Sequence, residues 1–148
     1  MSRMGWKDVL ARAPTRARVL VVEDQPDVRQ AIQRMVTRFG HTVRPAASAE
    51  EADQWLAQER FDVCTLDIEL PRMSGVEFLE WVHGRDPELA VIMLTGIDVP
   101  EVAVQCLDRG ARTYLVKPVD GEFLRLALRD ALAVRSVLAE RNDLSAAR

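Results

Sequence analysis

The sequence predicts an α/β fold, a doubly wound (βα)5 sandwich in which helices cover both faces of a parallel sheet. Two observations predict it. Five short aliphatic segments begin at intervals of 20 to 28 residues, and helical patterns lie between them. Some of these segments are almost continuously apolar, which is typical of parallel strands that are covered on both faces. Such a repeat predicts right-handed crossovers.

The predicted strands are RVLVV (18–22), HTVRPA (41–46), FDVCTL (61–66), LAVIML (89–94) and RTYLV (112–116). Between the first two, apolar residues at i, i+4, i+7, i+8 and i+11 from Val28 form the stripe of an amphipathic helix. Pro26 suits the first turn of this helix and Gly40 its C-terminal end.

The remaining helices have recognisable start signals. Ser48 followed by Glu51, and Ser74 followed by Glu77, are capping-box patterns that predict the starts of the second and third helices. We expect the fourth helix to run from Asp98 to Gly110 and the fifth to begin near Asp120. Periodicity does not determine the strand order, for which we take the flavodoxin-like order 2-1-3-4-5.

The chain of 148 residues is long enough for one domain with its own core. Residues 1–17 form an Arg-rich leader with Trp6, Val9 and Leu10 as candidate anchors. We expect a loosely ordered leader, with a short docked helix as the alternative. Residues 18–132 form the domain itself, and residues 133–148 extend the last helix and end in a polar tail, DLSAAR, that we expect to be disordered.

Composition argues against several classes of function. The net charge of −3 gives no electrostatic reason to expect direct binding to nucleic acid. We expect no membrane insertion, because no apolar run approaches the roughly 18 residues of a span, and we find no signal-peptide pattern. Cys64 and Cys106 fall in apolar patterns with no pairing signal, so we expect a reducing, cytoplasmic location.

Polar residues follow four of the predicted strands. Strand 1 is followed by Glu23-Asp24, strand 3 by Asp67 and strand 4 by Thr95, while strand 5 leads into Lys117. Because parallel strands end at a common edge, three carboxylates should converge where the winding reverses. Such carboxylates repel one another, so either some are protonated or a cation lies among them, and an all-oxygen site suits Mg²⁺.

These segments together resemble the receiver domain of two-component response regulators. The matching pieces are Glu23-Asp24 after VLVV, the stretch DIELPRMSG that begins at Asp67, LTG at the end of strand 4 and YLVKP at strand 5, and the match covers residues 18–132. The resemblance implies that Asp67 accepts a phosphoryl group. It also implies that Glu23, Asp24, Asp67 and the backbone carbonyl of Glu69 hold Mg²⁺.

The same resemblance assigns roles to residues of strands 4 and 5. Thr95 would hydrogen-bond the phosphoryl group, Lys117 would pair with it, and Tyr114 would move inward as Thr95 is recruited. The Lys117–Pro118 bond would be cis. The phosphoacceptor should be exposed in order to reach its donor, with Pro71 and Gly75 turning the backbone away from Asp67.

The implied function is a phosphorylation-operated switch in phosphorelay signal transduction rather than an enzyme. The phosphoryl donor would be a sensor histidine kinase or a phosphotransfer protein that docks over the first helix, whose outer face carries Arg29, Gln30, Gln33 and Arg34. The output would be protein binding through the face formed by the fourth helix, the fifth strand and the fifth helix. The downstream protein target is unknown, and the long fifth helix makes a homodimer possible.

The alternative function is a Mg²⁺-dependent phosphatase with an aspartyl nucleophile on a similar sheet. In haloacid-dehalogenase-type phosphatases the nucleophile lies in a D-x-D motif after strand 1, where this chain has VVEDQP. Only eight residues follow residue 140, too few for a DNA-binding module, so we expect a stand-alone receiver that acts by protein contact; the alternative is a fragment whose long last helix led into an effector.

Overall fold

The structure is a computed structural model that describes residues 5, 7, 8, 16–96 and 98–146, with side chains described up to residue 135. The strands are β1 (Arg18–Val22), β2 (Thr42–Ala46), β3 (Val63–Asp67), β4 (Ala90–Thr95) and β5 (Thr113–Val116). The helices are α1 (Pro26–Arg38), α2 (Ala49–Gln58), α3 (Gly75–Arg85), α4 (Pro100–Asp108) and α5 (Gly121–Ala146).

The five strands form one parallel sheet in the order β2-β1-β3-β4-β5. The predicted fold class and strand order are therefore confirmed. β1 and β3 are adjacent, with Val22 beside Leu66, and β3 lies beside β4, with Asp67 beside Leu94. The C-terminal ends of these three strands meet at one edge of the sheet, which we call the carboxyl edge. The opposite edge, where the strands begin, is the amino edge.

Each face of the sheet has its own apolar core. One core lies under α2, α3 and α4 and is centred on residues such as Leu66 and Phe78. The other lies under α1 and α5 and is centred on residues such as Ile32 and Leu128. β1, β3 and β4 contribute to both cores because alternate side chains of a strand point to opposite faces, which explains their continuous apolar sequences.

Local signals position most of the helix ends as predicted. Pro26 lies in the first turn of α1, and Gly40 follows that helix with φ of 96°. The side chains of Ser48 and Ser74 accept hydrogen bonds from the amides of Glu51 and Glu77. The carboxylate of Glu51 accepts a hydrogen bond from the amide of Ala47, where a capping box would have it accept from the amide of Ser48. The Asp120 side chain accepts from the first amides of α5.

Two predicted boundaries were wrong. α4 begins at Pro100 rather than at Asp98, because the residue before a proline favours extended backbone and Val99 adopts it. α5 continues to Ala146, so four residues of the tail that we expected to be disordered are helical. The sequence contains no Gly or Pro after Gly121, so no residue there interrupts the helix.

At the amino edge, side chains bind the backbone where the chain enters β1. His41 Nδ1 accepts a hydrogen bond from the amide of Ala17 at 3.0 Å, and Asp62 Oδ2 accepts one from the amide of Arg18 at 2.9 Å. The other oxygen of Asp62 pairs with Arg135 Nη1 at 3.2 Å. Arg135 interrupts the apolar stripe of α5, and this ion pair explains its presence there.

Most of the predicted leader, including Trp6, Val9 and Leu10, lies outside the described residues. The domain boundaries at residues 17 and 132 therefore stay predictions. Within the part of the chain that the structure describes, no helix has the length and apolar character needed to cross a membrane.

Candidate functional site

The candidate site lies at the carboxyl edge of the sheet, where the loop after β1 meets the end of β3. Glu23, Asp24 and Asp67 each place a carboxylate oxygen within 4.8 Å of the other two. Glu23 and Asp67 are buried, whereas Asp24 is exposed. The structure thus brings together the three carboxylates that the sequence predicted to converge.

The ammonium group of Lys117 lies among these carboxylates. Its Nζ is 2.8 and 2.9 Å from the two carboxylate oxygens of Glu23 and 3.2 Å from Asp67 Oδ2. Burial by itself would lower the pKa of Lys117, but the bond to Glu23 and the charge of Asp67 outweigh burial, and the pKa is raised. The lysine therefore stays charged.

One ammonium group does not compensate for the crowded carboxylates. Burial raises the pKa of Glu23 to about 7, and the neighbouring Asp67 adds to the rise, while Lys117 opposes it. The site thus favours either a proton on Glu23 or additional positive charge. This is the consequence of carboxylate repulsion that the sequence predicted.

Asp67 is more enclosed than we expected. It is the last residue of β3 and only 2% exposed, so the expectation of an exposed phosphoacceptor was wrong. The reason is that the side chain turns towards Lys117, while its Oδ1 accepts a hydrogen bond from the amide of Glu69 at 3.2 Å. The role of the Glu69 carbonyl stays a prediction.

Gly75 allows the segment after Asp67 to fold back tightly. A Cβ at Gly75 would lie 2.1 Å from the carbonyl oxygen of Asp67 and 2.7 Å from Cα of Ile68. The amide of Gly75 donates to the carbonyl of Ile68 at 2.8 Å, which closes the turn. Only glycine permits this approach, and α3 begins at this point. Gly75 thus has a steric role more specific than the turn signal we inferred.

Thr95 and Tyr114 lie beside the carboxylates on β4 and β5. Thr95 is fully buried at the end of β4, and its carbonyl accepts a 2.7 Å bond from the Lys117 amide. Tyr114 is half-buried; burial raises its pKa, and a side-chain hydrogen bond with Thr95 works against that rise. The two side chains predicted to act together are therefore in contact. The Lys117–Pro118 peptide bond is cis.

Arg29 is a residue of this site that the sequence analysis assigned to a different task. Its guanidinium donates to the carbonyl of Glu23 at 2.9 Å and to that of Asp24 at 3.4 Å. The side chain that we placed on a docking surface therefore helps to fix the acidic loop. A sequence signal exists, because an arginine in the first turn of a helix can reach back to the loop before it.

The donor chemistry of the site fits Mg²⁺. Three carboxylates offer hard oxygen ligands, which Mg²⁺ prefers, and the raised pKa of Glu23 indicates that the site lacks positive charge. These features define a class of protein: a doubly wound α/β domain with an acidic, lysine-containing site at the topological switch point of its sheet.

Comparison with known proteins identifies the family. A family model described as "Response regulator receiver domain" matches residues 19–129. The chain belongs to the family of response regulator receiver domains of two-component systems, as the resemblance of its motifs implied. Receiver domains bind Mg²⁺ at an acidic site, which corresponds to the acidic cluster seen here.

Relatives among characterised proteins are longer than this chain. The response regulator protein PilR of Pseudomonas aeruginosa is 36% identical over 126 residues, which is 85% of this chain and 28% of PilR. A cyclic di-GMP phosphodiesterase of Thermotoga maritima is 34% identical over 84% of this chain and 33% of that protein. The chain thus spans about a third or less of the length of these relatives.

Solved structures agree with the fold. A receiver domain protein from Clostridium thermocellum aligns with a TM-score of 0.78 and 30% identity over 82% of this chain and 98% of that chain. NtrX from Brucella abortus aligns with a TM-score of 0.83 and 31% identity over 88% of this chain and 30% of NtrX. These comparisons give no support to the phosphatase alternative.

Proposed function

We propose that Asp67 accepts a phosphoryl group from a phosphohistidine of a sensor histidine kinase or phosphotransfer protein, and that this modification switches protein binding. The observation that carries the proposal is the position of Asp67 Oδ2, 3.2 Å from Lys117 Nζ and beside the carboxylates of Glu23 and Asp24. Membership of the receiver family supports the same role.

In the proposed reaction, a carboxylate oxygen of Asp67 attacks the phosphorus of phosphohistidine. A P–O bond forms, the P–N bond breaks, and the imidazole leaves with the electron pair and takes up a proton. The product is an acyl phosphate. Phosphoryl transfer of this kind depends on positioning and charge neutralisation more than on acid–base groups.

The side chains around Asp67 have distinct tasks in this proposal. Lys117 gives up its contacts with Glu23 and binds a phosphoryl oxygen instead, which its flexible stem allows. Glu23, Asp24, Asp67 and the carbonyl of Glu69 would hold Mg²⁺. When bound, Mg²⁺ supplies positive charge for the transferring phosphoryl group. Arg29 holds the carbonyls of the acidic loop in place.

A groove of about 560 Å³ beside the site supports docking of the phosphoryl donor over α1. It lies between α1 and the segment that follows β5, and Lys117 lines its end. Its walls are mainly apolar, with Val28, Met35 and Val119 among the contributors. A donor bound along α1 would therefore bring its phosphohistidine to the edge at which Asp67 lies.

The proposed output surface is the face of α4, β5 and α5. Exposed apolar side chains on these elements support a role in binding: Val104, Leu107, Val116, Phe123 and Leu126. Phosphorylation would draw Thr95 towards the phosphoryl group, and Tyr114 would follow because its side chain contacts Thr95. The partner on this face is a downstream protein or a second copy of the chain.

Intact-mass measurement tests the proposal directly. The chain is incubated with Mg²⁺ and acetyl phosphate, and we expect one added phosphoryl group that hydroxylamine removes. Asp67→Asn should abolish the adduct. Glu69→Gln is a matched control, because it removes a neighbouring carboxylate while it keeps the backbone carbonyl assigned to the metal site. An adduct that survives in Asp67→Asn would refute the proposal.

A further experiment separates switching from phosphorylation. Thr95→Ala and Tyr114→Phe should still be phosphorylated, because neither side chain takes part in forming the acyl phosphate. We expect both variants to lose the phosphorylation-dependent change in hydrogen exchange of α4 and β5. Unaltered changes in both variants would remove them from the switch and leave the phosphoacceptor role intact.

A further inference from the structure

A groove between α2 and α3 lies outside the site described above. Two adjoining cavities of about 220 and 160 Å³ form it, and they share Asp53 and Trp81 as lining residues. Leu56, Phe61 and Leu89 make the part near the amino edge apolar, and Met73 lies near its other end. We call this feature the α2–α3 groove. It belongs to the face of the sheet opposite α1 and α5.

We propose that the leader, residues 1–15, docks in the α2–α3 groove of its own chain. The first argument is that the groove adjoins the residue at which the chain enters β1. His41 and Asp62 hold the amides of Ala17 and Arg18. The side chain of Arg18 points to the face that carries the groove, where it pairs with Glu59 at 3.0 Å and lies over the ring of Phe61. Glu59 and Phe61 both line the groove.

Charge complementarity is the second argument. The leader together with Arg16 contains four basic residues and one acidic residue. The groove is lined by four carboxylates and two arginines, namely Glu50, Asp53, Glu59, Asp86, Arg60 and Arg85. Within the described part of the chain, Asp53 and Asp86 form no ion pair with an arginine or lysine, so a basic segment can bind there.

The apolar pattern of the leader is the third argument. Trp6, Val9 and Leu10 have the i, i+3, i+4 spacing of a helix that places one apolar stripe in a groove. Lys7 and Asp8, which the structure describes as helical and exposed, fall between these positions. Trp81 lines both cavities; its ring is stacked on Phe78 at a centroid distance of 5.8 Å, and the Arg85 guanidinium lies 4.4 Å from the ring centroid.

The leader can reach the groove, and weak docking is sufficient. Six residues lead from Leu10, at the end of this apolar pattern, to Arg16, and an extended chain of that length spans up to about 20 Å. A short tether gives an effective concentration on the order of 1 mM. Docking with an intrinsic Kd of about 0.1 mM would therefore be about tenfold in favour of the bound state.

Hydrogen exchange of the full chain, measured by mass spectrometry, tests the proposal with a matched pair of variants. Ala57→Arg adds bulk and positive charge at an exposed position that lines the groove, whereas Gln58→Arg adds the same side chain to an exposed position of α2 outside the lining. We expect the amides of residues 6–10 to exchange about tenfold faster in Ala57→Arg. Gln58→Arg should match the wild-type protein.

The outcomes distinguish the possible occupants. Exchange at residues 6–10 that is as fast in the wild-type protein as in Ala57→Arg would overturn the proposal and leave the groove to a different protein. A concentration-dependent dimer in sedimentation that Ala57→Arg abolishes would show docking into a second copy, which also overturns it. Unfolding midpoints of both variants verify that each is folded. Faster exchange in Trp6→Ala, with unchanged exchange in α1, would support the proposal further.

Discussion

At the carboxyl edge of the sheet a cluster of three carboxylates contains one ammonium group, whereas at the amino edge the carboxylates of Asp62 and Glu59 are each paired with arginine. Asp62 there binds both the Arg18 amide and Arg135, and Glu59 pairs with Arg18 and Arg44. The paired charges at the amino edge thus stabilise the domain, whereas the acidic cluster at the carboxyl edge lacks positive charge.

The largest expected effect comes from adding a side chain at Gly75, where the backbone lies closest to Asp67 at the carboxyl edge. Gly75→Ala should destabilise the domain by about 3 kcal/mol or more, because its Cβ would meet the backbone of Asp67, which cannot move without breaking β3. Urea unfolding measures the change. Gly84→Ala in the same helix has nothing within 4 Å of the new Cβ and should be neutral or stabilising. Equal losses in both variants would contradict the steric argument.

The next effect concerns the uncompensated charge of Glu23. Its pKa of about 7 in the folded chain lies above the ordinary value of 4.5, so the wild-type protein without added metal loses stability as the pH rises from 4.5 to about 7. Glu23→Gln cannot titrate. At pH 8 the variant should therefore be more stable by about 2 kcal/mol.

Unfolding of both proteins in chelator across pH 4.5 to 8 measures the effect of Glu23→Gln. The difference between them should shrink towards the acid end, where Glu23 is protonated in the folded chain and about half protonated in the unfolded chain. A difference that is constant with pH would show that Glu23 is not the titrating group. Added Mg²⁺ should stabilise the wild-type protein more than the variant.

A smaller effect is expected for the paired charge at the amino edge. Asp62→Ala removes the acceptor for the Arg18 amide and the partner of Arg135, which should cost about 1–2 kcal/mol. Phosphorylation of Asp67 should not change. Arg135→Ala and the double variant complete a mutant cycle, and strictly additive losses would argue against a direct ion pair.

The smallest effect is the pH response of His41. Burial lowers the pKa of this histidine from 6.5, and Asp62 only partly opposes the shift. Its stabilising contribution is therefore complete above pH 6.5 and decreases as the pH falls through the lowered pKa, because the unfolded chain takes up the proton first.

His41→Asn keeps an acceptor for the Ala17 amide and removes the titration. The wild-type protein should lose at most about 1 kcal/mol relative to this variant between pH 6.5 and 5, as measured by urea unfolding. The direction is opposite to that of Glu23, which loses stability as the pH rises. A wild-type protein that gained stability over the variant in acid would contradict the assignment.

The sequence predicted the elements of the fold because its signals are local. Apolar runs, Pro26, Gly40 and the capping serines act within a few residues of the structure that they determine. The strand order needed the resemblance to a family, because periodicity does not encode which strands are neighbours. The convergence of the carboxylates was predicted from their places at strand ends, which the parallel sheet converts into proximity, and the roles of the candidate site residues came from the family resemblance.

The features that the sequence did not predict depend on contacts between segments that are far apart in the chain. The pairing of Lys117 with Glu23 joins residues 94 positions apart, and the burial of Asp67 follows from that cluster. Arg135 interrupted an apolar stripe, and only its distance to Asp62 explains it. The predicted start of α4 at Asp98 was wrong for a local reason. The residue before a proline favours extended backbone, and Val99 adopts it before Pro100.

The Asp62–Arg135 pair attaches α5 to the amino edge of the sheet eleven residues before the helix ends. Eleven residues of α5, from residue 136 to residue 146, follow Arg135, and at 1.5 Å per residue they make an arm about 16 Å long. A tilt of about 10° at this attachment would move the tip by about 3 Å, by the geometry of a rigid arm of that length. A small repacking of α5 against the sheet would thus become a displacement large enough to make or break a contact elsewhere.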